Sequence, residues 1–389
     1  MSPKLCAGRL CRQGGLTLVE MLVAIAIGLI VTLAVTAVLT VGERQRRSTT
    51  STNDMGQSGA FAVYQLDRAI RNAGSGLIQS INQGLLGCKL NVTTILPRNS
   101  AFPAPFKNSF LTGATANLRI APLLIAKSQS DAGSDVLVVM RANGSSGGVP
   151  RRVADAGTET LLITENSVGM AANDLLLLSQ NGTTDCLMEQ VSSISGNQIT
   201  LGGDFYTAGT TVGVGSLTAS PDSYATLLGN RNGGGVQFQL FGVGANATLF
   251  SYDLLQMSGG DTTQAIADGV TELHALYGLD INGDGKLDNW VDPGAAGYTI
   301  QAVMESPAKM REIVAVHIAL VMRSSTQDGT ADTPVAPETL GFFANKANAA
   351  GESLARSITL DDTARLYRHR VVETTVPLHN MQLLPAAAL

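Results

Sequence analysis

Residues 16–42 read LTLVEMLVAIAIGLIVTLAVTAVLTVG, and this run decides the architecture. It carries one charge, Glu20. As a helix it is about 40 Å long, enough to cross a hydrocarbon core of about 30 Å with some tilt. Residues 1–15 upstream hold Lys4, Arg9 and Arg12 and no acid. A secretory signal has an apolar core of about 7–15 residues followed by a small-residue cleavage site. Here the small residues, Gly14 and Gly15, come before the apolar run. Glu20 is the residue out of place, because an ionisable group inside an apolar span is costly and marks a functional position by default. The plainer reading is a carboxyl that stays protonated or reaches the interface. If the chain is cut after Gly15, Leu16 gains an ammonium group four residues before Glu20. Opposite charges attract strongly where the dielectric is low.

Working outward, residues 57–73 repeat apolar side chains with a 3.6-residue period. Phe61, Val63, Tyr64, Leu66, Ala69 and Ile70 are expected on one face, with Asp67, Arg68 and Arg71 off it. Gly74 and Gly76 are natural stops. The Ser- and Thr-rich stretch 48–60, with Gly56 and Gly59, is expected to bend or fray. A helix over 16–72 would run about 85 Å, half in lipid and half on a globular body. Beyond residue 74 the predicted elements are strands: 135–142, 160–165, 174–180, 235–243, 247–256 and 311–324. The polar zones 88–130 and 325–357 read as surface excursions. The fold class is therefore α+β, with a long N-terminal helix packed on a β-rich domain. Its parts are a leader (1–15), a membrane helix (16–42), an amphipathic continuation (43–73) and a β-rich body (74–389), which the family resemblance given below implies is extracytoplasmic.

Composition narrows the function. The chain has 389 residues, 44% hydrophobic and only 15% charged, which argues against disorder. A net charge of −5 disfavours general nucleic-acid binding, and 5% aromatics disfavour a base-stacking platform. No nucleic acid is therefore expected as a partner. His274, His317, His369 and His379 show no metal-ligand spacing, and no nucleophile-elbow, P-loop or zinc-protease motif is present. An enzyme is not expected. Cys6 and Cys11 lie in the leader. Cys88 and Cys186 remain, either as a disulfide in an oxidising exterior or as two buried thiols.

Residues 280–292 read DINGDGKLDNWVD. Asp280, Asn282, Asp284 and Asp288 take the oxygen-donor positions of a calcium loop, Gly285 its sharp turn, and Lys286 the backbone-carbonyl position. The closing position holds Val291 in place of a bidentate Glu, and Asp292 falls one residue late. Calcium affinity would then be weak, about 10⁻⁴–10⁻³ M. Asn-Gly and Asp-Gly equally suit a plain hairpin turn.

The segment Gly14-Gly15-Leu16-Thr17-Leu18-Val19-Glu20, followed by the apolar run, resembles the prepilin signature of type IV pilins and type II secretion pseudopilins. The resemblance implies cleavage after Gly15 by a prepilin peptidase, N-methylation of Leu16, and an assembly role for Glu20. Leu16 departs from the family's usual Phe. It also implies a cytoplasmic leader, a single inner-membrane pass, a periplasmic body and later passage into a surface filament. Loss of the leader lowers the net charge from −5 to −8. Three later segments are similar to the C-terminal half of PilW-class minor pilins: DGVTELHALYGLDINGDGKLDNW, REIVAVHIALVMRS and RLYRHRVVETTVPLHNM. The family then implies a minor pilin near the filament tip that primes assembly. Its expected partners are other minor pilins, the major pilin and a tip adhesin. Residues 80–230 carry no motif that places them. A type II secretion pseudopilin shares the N-terminal signature. A membrane-anchored binding protein that keeps residues 1–15 is a reading of another class.

Overall fold

The computed structural model describes residues 17–77, 84–93, 95, 96, 98, 100–107, 118–143, 148–155, 160–181, 185–208, 222–257 and 259–382. Its first element, α1, is one helix over Leu18–Arg71. The stretch 48–60 is helical throughout and does not fray. The hydroxyls of Thr49 and Thr52 donate to the carbonyls of Gln45 and Ser48 at 2.9 and 2.8 Å, one turn back, and so do not compete with the helix. From residue 53 onward the buried stripe is Met55, Gly59, Ala62, Leu66 and Ile70. This stripe is rotated from the expected face. Phe61 and Tyr64 are 47% and 57% exposed. The cause is small residues: a Cβ on Gly59 would meet the Met322 side chain at 3.4 Å, so glycine and Ala62 let the helix approach the sheet closely.

The strands follow in the order β1 (Lys89–Asn91), β2 (Leu123–Ala126), β3 (Val136–Arg141), β4 (Pro150–Asp155), β5 (Leu161–Thr164), β6 (Asp174–Gln180), β7 (Asp185–Ser195), β8 (Gln198–Leu201) and β9 (Ser223–Asn230). Next come β10 (Gln237–Gly244), β11 (Thr248–Asp253), β12 (Gln264–Asp268), β13 (Val270–Leu279) and β14 (Asn289–Val291). The chain ends through α2 (Ile300–Met304), α3 (Pro307–Glu312), β15 (Ile313–Gln327), β16 (Thr339–Phe342), β17 (Arg356–Thr359), β18 (Tyr367–Pro377) and α4 (His379–Gln382).

One sheet has the order β12-β11-β10-β3-β2 and another the order β14-β13-β15-β18. Between β3 and β10 the chain makes a long excursion. The two strands are antiparallel neighbours, with Arg141 opposite Gln237, so the chain leaves and returns at facing residues. Within the excursion, β4 to β9 close into a ring. β7 pairs with β6 through Leu187–Gln190 and then with β8 beyond Val191. β4 pairs with β9 through Pro150–Arg152 and then with β5. The ring encloses its own core, which includes Val153, Leu162, Leu176, Leu178, Leu187 and Leu227. The unbroken Leu175–Leu178 run is explained by this. Leu176 and Leu178 face the small barrel, while Leu175 and Leu177 face the main core.

A disulfide joins Cys88 to Cys186, with Cα atoms 5.6 Å apart, and β1 runs parallel to β7 beside it. On β7, opposite Leu176, Glu189 is fully buried. One of its oxygens accepts from the Thr207 N–H at 3.1 Å and the other has no partner among the described residues. Burial pushes its pKa up to about 8.

Neither polar zone is a mere surface excursion. Residues 88–130 bury Leu90, Phe102, Phe106 and Ile120 through Ala126. Residues 325–357 bring Phe342 and Phe343 onto the outer face of the last sheet, where Ala315 and Ala319 leave room for them. The opposite face of β15, through Val316, Ile318, Leu320 and Met322, joins the main core.

Candidate assembly site and acidic hairpin loop

Gly15 and Leu16 lie outside the described residues. The description begins at Thr17, which caps α1. The Thr17 backbone N–H and hydroxyl donate to Glu20 Oε2 at 3.0 and 2.9 Å, and the Glu20 N–H donates to the Thr17 hydroxyl at 3.3 Å. This is a reciprocal capping box. It satisfies helix donors that have no intrahelical partner, and it sets a carboxylate at the positive end of the helix dipole. The signal, Thr-x-x-Glu before an apolar run, is present in the sequence. From Leu18 to Val41 the large apolar side chains are exposed. The helix is long and apolar enough to cross a membrane.

The acidic loop is a hairpin connection between β13 and β14, with Leu279 opposite Asn289. Asp280 organises it. Its Oδ1 accepts from the Gly283 and Asp284 N–H groups at 2.7 and 3.2 Å, and its Oδ2 from that of Gly285 at 2.7 Å. Asp288 Oδ2 accepts from the Ile281 N–H at 2.8 Å. Asp284 Oδ1 accepts from the Lys286 N–H at 2.9 Å. Asn282 Oδ1 accepts from the Asp284 N–H at 2.8 Å. Asp280, Asn282, Asp284 and Asp288 thus share one turn, held by its own backbone.

Asp292 does not join them. It pairs with Lys127 Nζ at 2.8 Å and with Arg356, and it accepts from the Gly294 N–H. Its burial would raise its pKa, but these partners outweigh burial and hold the carboxyl below the usual range. Among the described residues no group of three or more His, Cys, Asp or Glu side chains is placed to hold a metal ion.

The Tyr-Gly-x-Asp stretch that precedes the loop has a physical reason at each place. The buried Tyr277 hydroxyl accepts from the Ile125 N–H at 2.5 Å, linking this sheet to β2. A Cβ on Gly278 would meet Leu287 at 2.7 Å and Trp290 at 2.9 Å, so only glycine lets the hairpin fold over β13. Asp280 then ties the turn.

Behind the loop, two histidines hold the Phe342–Phe343 segment. His274 stacks on Phe342 at 4.8 Å between ring centroids, and His317 lies 5.5 Å from Phe343. His317 Nε2 is 2.9 Å from Glu373, whose Oε2 also accepts from the Phe343 N–H at 3.1 Å. That bond helps keep Phe343 at φ 61°, a left-handed conformation that a bulky residue rarely adopts. Burial lowers the His274 pKa, but the Asp135 and Glu272 carboxylates, 3.8 and 2.7 Å from the ring, outweigh it and the net shift is upward. For His317, burial prevails over Glu373 and the shift is downward. Both histidines are packing residues of this face.

Two family models match the chain. The prokaryotic N-terminal methylation motif matches residues 10–36, and type IV pilus-assembly protein W matches residues 237–380. Comparison with curated proteins and with solved structures gives no match. The methylation motif, the apolar helix and the β-rich body together support a type IV pilin-like protein. The second match, over β10 to β18, likens that part of the chain to the PilW class and supports a minor-pilin-like role in the type IV pilus.

Proposed function

We propose that the chain is a minor pilin that primes pilus assembly and sits at or near the filament tip. The observation that carries this reading is the capped helix start. A carboxylate is fixed at Glu20, four residues from the ammonium that cleavage after Gly15 would create, at the head of a fully exposed apolar helix. Pairing that amine with Glu20, in the same subunit or a neighbour, would leave neither charge alone in an apolar filament core. The tip position draws support from the barrel between β3 and β10, an addition that a repeating shaft subunit does not need. Partners would be other minor pilins, the major pilin and a tip adhesin. The prepilin peptidase would act at Gly15, and the body would face the periplasm before filament entry.

Mass spectrometry of sheared surface filaments tests the reading. A peptide beginning at N-methyl-Leu16 is expected, and an uncut N-terminus in every fraction would overturn it. Glu20→Ala should leave cleavage intact and cut pilus numbers to about a tenth or less. Calcium at 280–288 belongs to the proposal as a weak ligand of Asp280, Asn282, Asp284, Asp288 and the Lys286 carbonyl, without Asp292. It requires these oxygens to turn inward. A thermal midpoint unmoved by millimolar calcium removes it.

A further inference from the structure

A recess of about 340 Å³ lies between the body half of α1 and the sheet of β3, β10, β11 and β12. Its helix wall carries Phe61 and Arg68, and its floor carries Arg141, Gln237, Gln239 and Gln264. It does not end there. A second recess of about 510 Å³ shares Gln237, Gln239 and Gln264 with it, and a third shares Phe61 and Ile266. The three form one trough across the sheet face, from the outer flank of α1 to the root of the barrel.

In the first recess the charges are one-sided; of the acids in the other two, Asp268 accepts from the Thr248 hydroxyl at 3.2 Å. Arg141 is half-buried, and its Nε donates to Gln237 Oε1 at 3.0 Å. Burial, with the neighbouring Arg68 charge adding to it, pulls the Arg141 pKa below the usual arginine value. Among the described residues neither guanidinium has a carboxylate within ion-pair distance, and no acid lines the recess that they share. Asp253, in the second recess, is engaged by the N–H groups of Leu255 and Met257. Two like charges held side by side without a counter-charge are unfavourable until an anion joins them, and guanidinium geometry matches carboxylate in particular.

The remaining features select an extended chain over a free ion. Gln237 and Gln239 stand on one strand face at the two-residue repeat of about 6.6 Å, which is also the repeat of an extended peptide. The Gln237 amide accepts from Arg141 and donates to the Gly234 carbonyl at 3.4 Å, bonds that a seated peptide would exchange. The outer edge of β12 beside the trough pairs with no other strand among the described residues. Phe61 stands 47% exposed on the wall, available to a side chain laid along it.

We propose that this trough seats an extended acidic segment of a neighbouring protein subunit, with Arg68 and Arg141 taking a carboxylate and the glutamine amides its backbone. The proposal rests on the pilin reading, which supplies a protein neighbour. It is tested on the full chain in detergent micelles by fluorescence anisotropy, using an end-capped labelled peptide of alternating glutamate and serine. The same peptide with glutamine for glutamate is the control. The glutamate peptide should bind and the glutamine peptide should not. Arg68→Gln, at an exposed helix position that leaves the fold intact, should weaken binding several-fold. Arg68→Gln with Arg141→Gln should weaken it by about tenfold or more, and Arg68→Lys should recover part of the loss. Equal binding of both peptides, unchanged affinity in the double variant, or binding of oligogalacturonate in place of the peptide would each overturn the proposal. The N-methyl-Leu16 peptide is scored separately in filaments. Its presence alongside failed peptide binding sinks the trough alone, and its absence sinks the pilin reading.

Discussion

The barrel of β4–β9 and the sheet of β13, β15 and β18 are built on opposite plans. The barrel uses short strands that change partners part-way, and it closes around a small core of its own. The sheet uses long strands, up to fifteen residues in β15, that keep one register along most of their length, and β13 and β15 bury both faces. The sheet lies inside the region matched to the pilus-assembly family, and the barrel lies outside it. What differs is dependence. The sheet is fixed by the main core and by the Phe342–Phe343 segment. The barrel is a closed hydrogen-bonded unit held to the rest by its Leu175 and Leu177 face, by β1 and by one disulfide. The first should unfold only with the whole body, while the second can loosen alone.

That contrast can be broken in four ways. The largest effect is expected from Cys88→Ser with Cys186→Ser. Opening a loop of this length removes about 4–5 kcal/mol in the chain-entropy account. Hydrogen exchange should rise in 150–230 and stay low in 270–377; equal loss in both would end the distinction. Leu66→Ala, under the helix, should cost about 3 kcal/mol. Here exchange should rise in the C-terminal sheet as well as in α1, read from the same peptides.

Glu189→Gln should act in the other direction and only with pH. An ordinary glutamic acid ionises near 4.5, and Glu189 in the folded chain does so near 8. Between these values the unfolded chain has lost the proton and the folded chain has kept it, so stability falls as pH rises through that window. The variant should match the parent below pH 4.5 and exceed it by a margin that grows as the pH rises to 8. Denaturant titrations at the two ends of the window check this, and a constant gap across pH would refute it. The smallest effect is Gly278→Ala, at about 1–2 kcal/mol, because Leu287 and Trp290 must give way. A lowered thermal midpoint with quenching changes at Trp290 is the expected reading.

Much of this fold was legible in residues 16–73 because apolar periodicity is a local signal. The helix exists as read, but its buried face turned out rotated. Periodicity weights large residues such as Phe61 and Tyr64, whereas close packing chose Gly59 and Ala62. The Val-rich strand at 311–324 was legible for the same local reason, while the closing strand was read through the family resemblance. The barrel was not. Its closure depends on β7 and β4 switching neighbours at Val191 and Val153, and no window of sequence contains both partners. The Leu175–Leu178 run announced a buried strand without saying that its two faces serve two cores. Phe342 and Phe343 were hidden in a polar stretch because their room is made elsewhere, by Ala315 and Ala319. At the candidate site, Asp292 read as a loop residue by spacing. Its salt bridges to Lys127 and Arg356 come from segments far away in sequence.

The pairing of Arg141 with Gln237 has a consequence for how such a subunit can change. Strands that face each other in a sheet stand about 5 Å apart, a gap that a two-residue turn can close. Anything placed between those two positions need only have ends that meet, as the termini of compact domains commonly do. The junction therefore works as a socket. A lineage, or an engineer, could exchange the head between residues 142 and 236 in a single splice and leave the anchoring helix and the C-terminal sheet unaltered, provided Cys88 is capped or given a new mate.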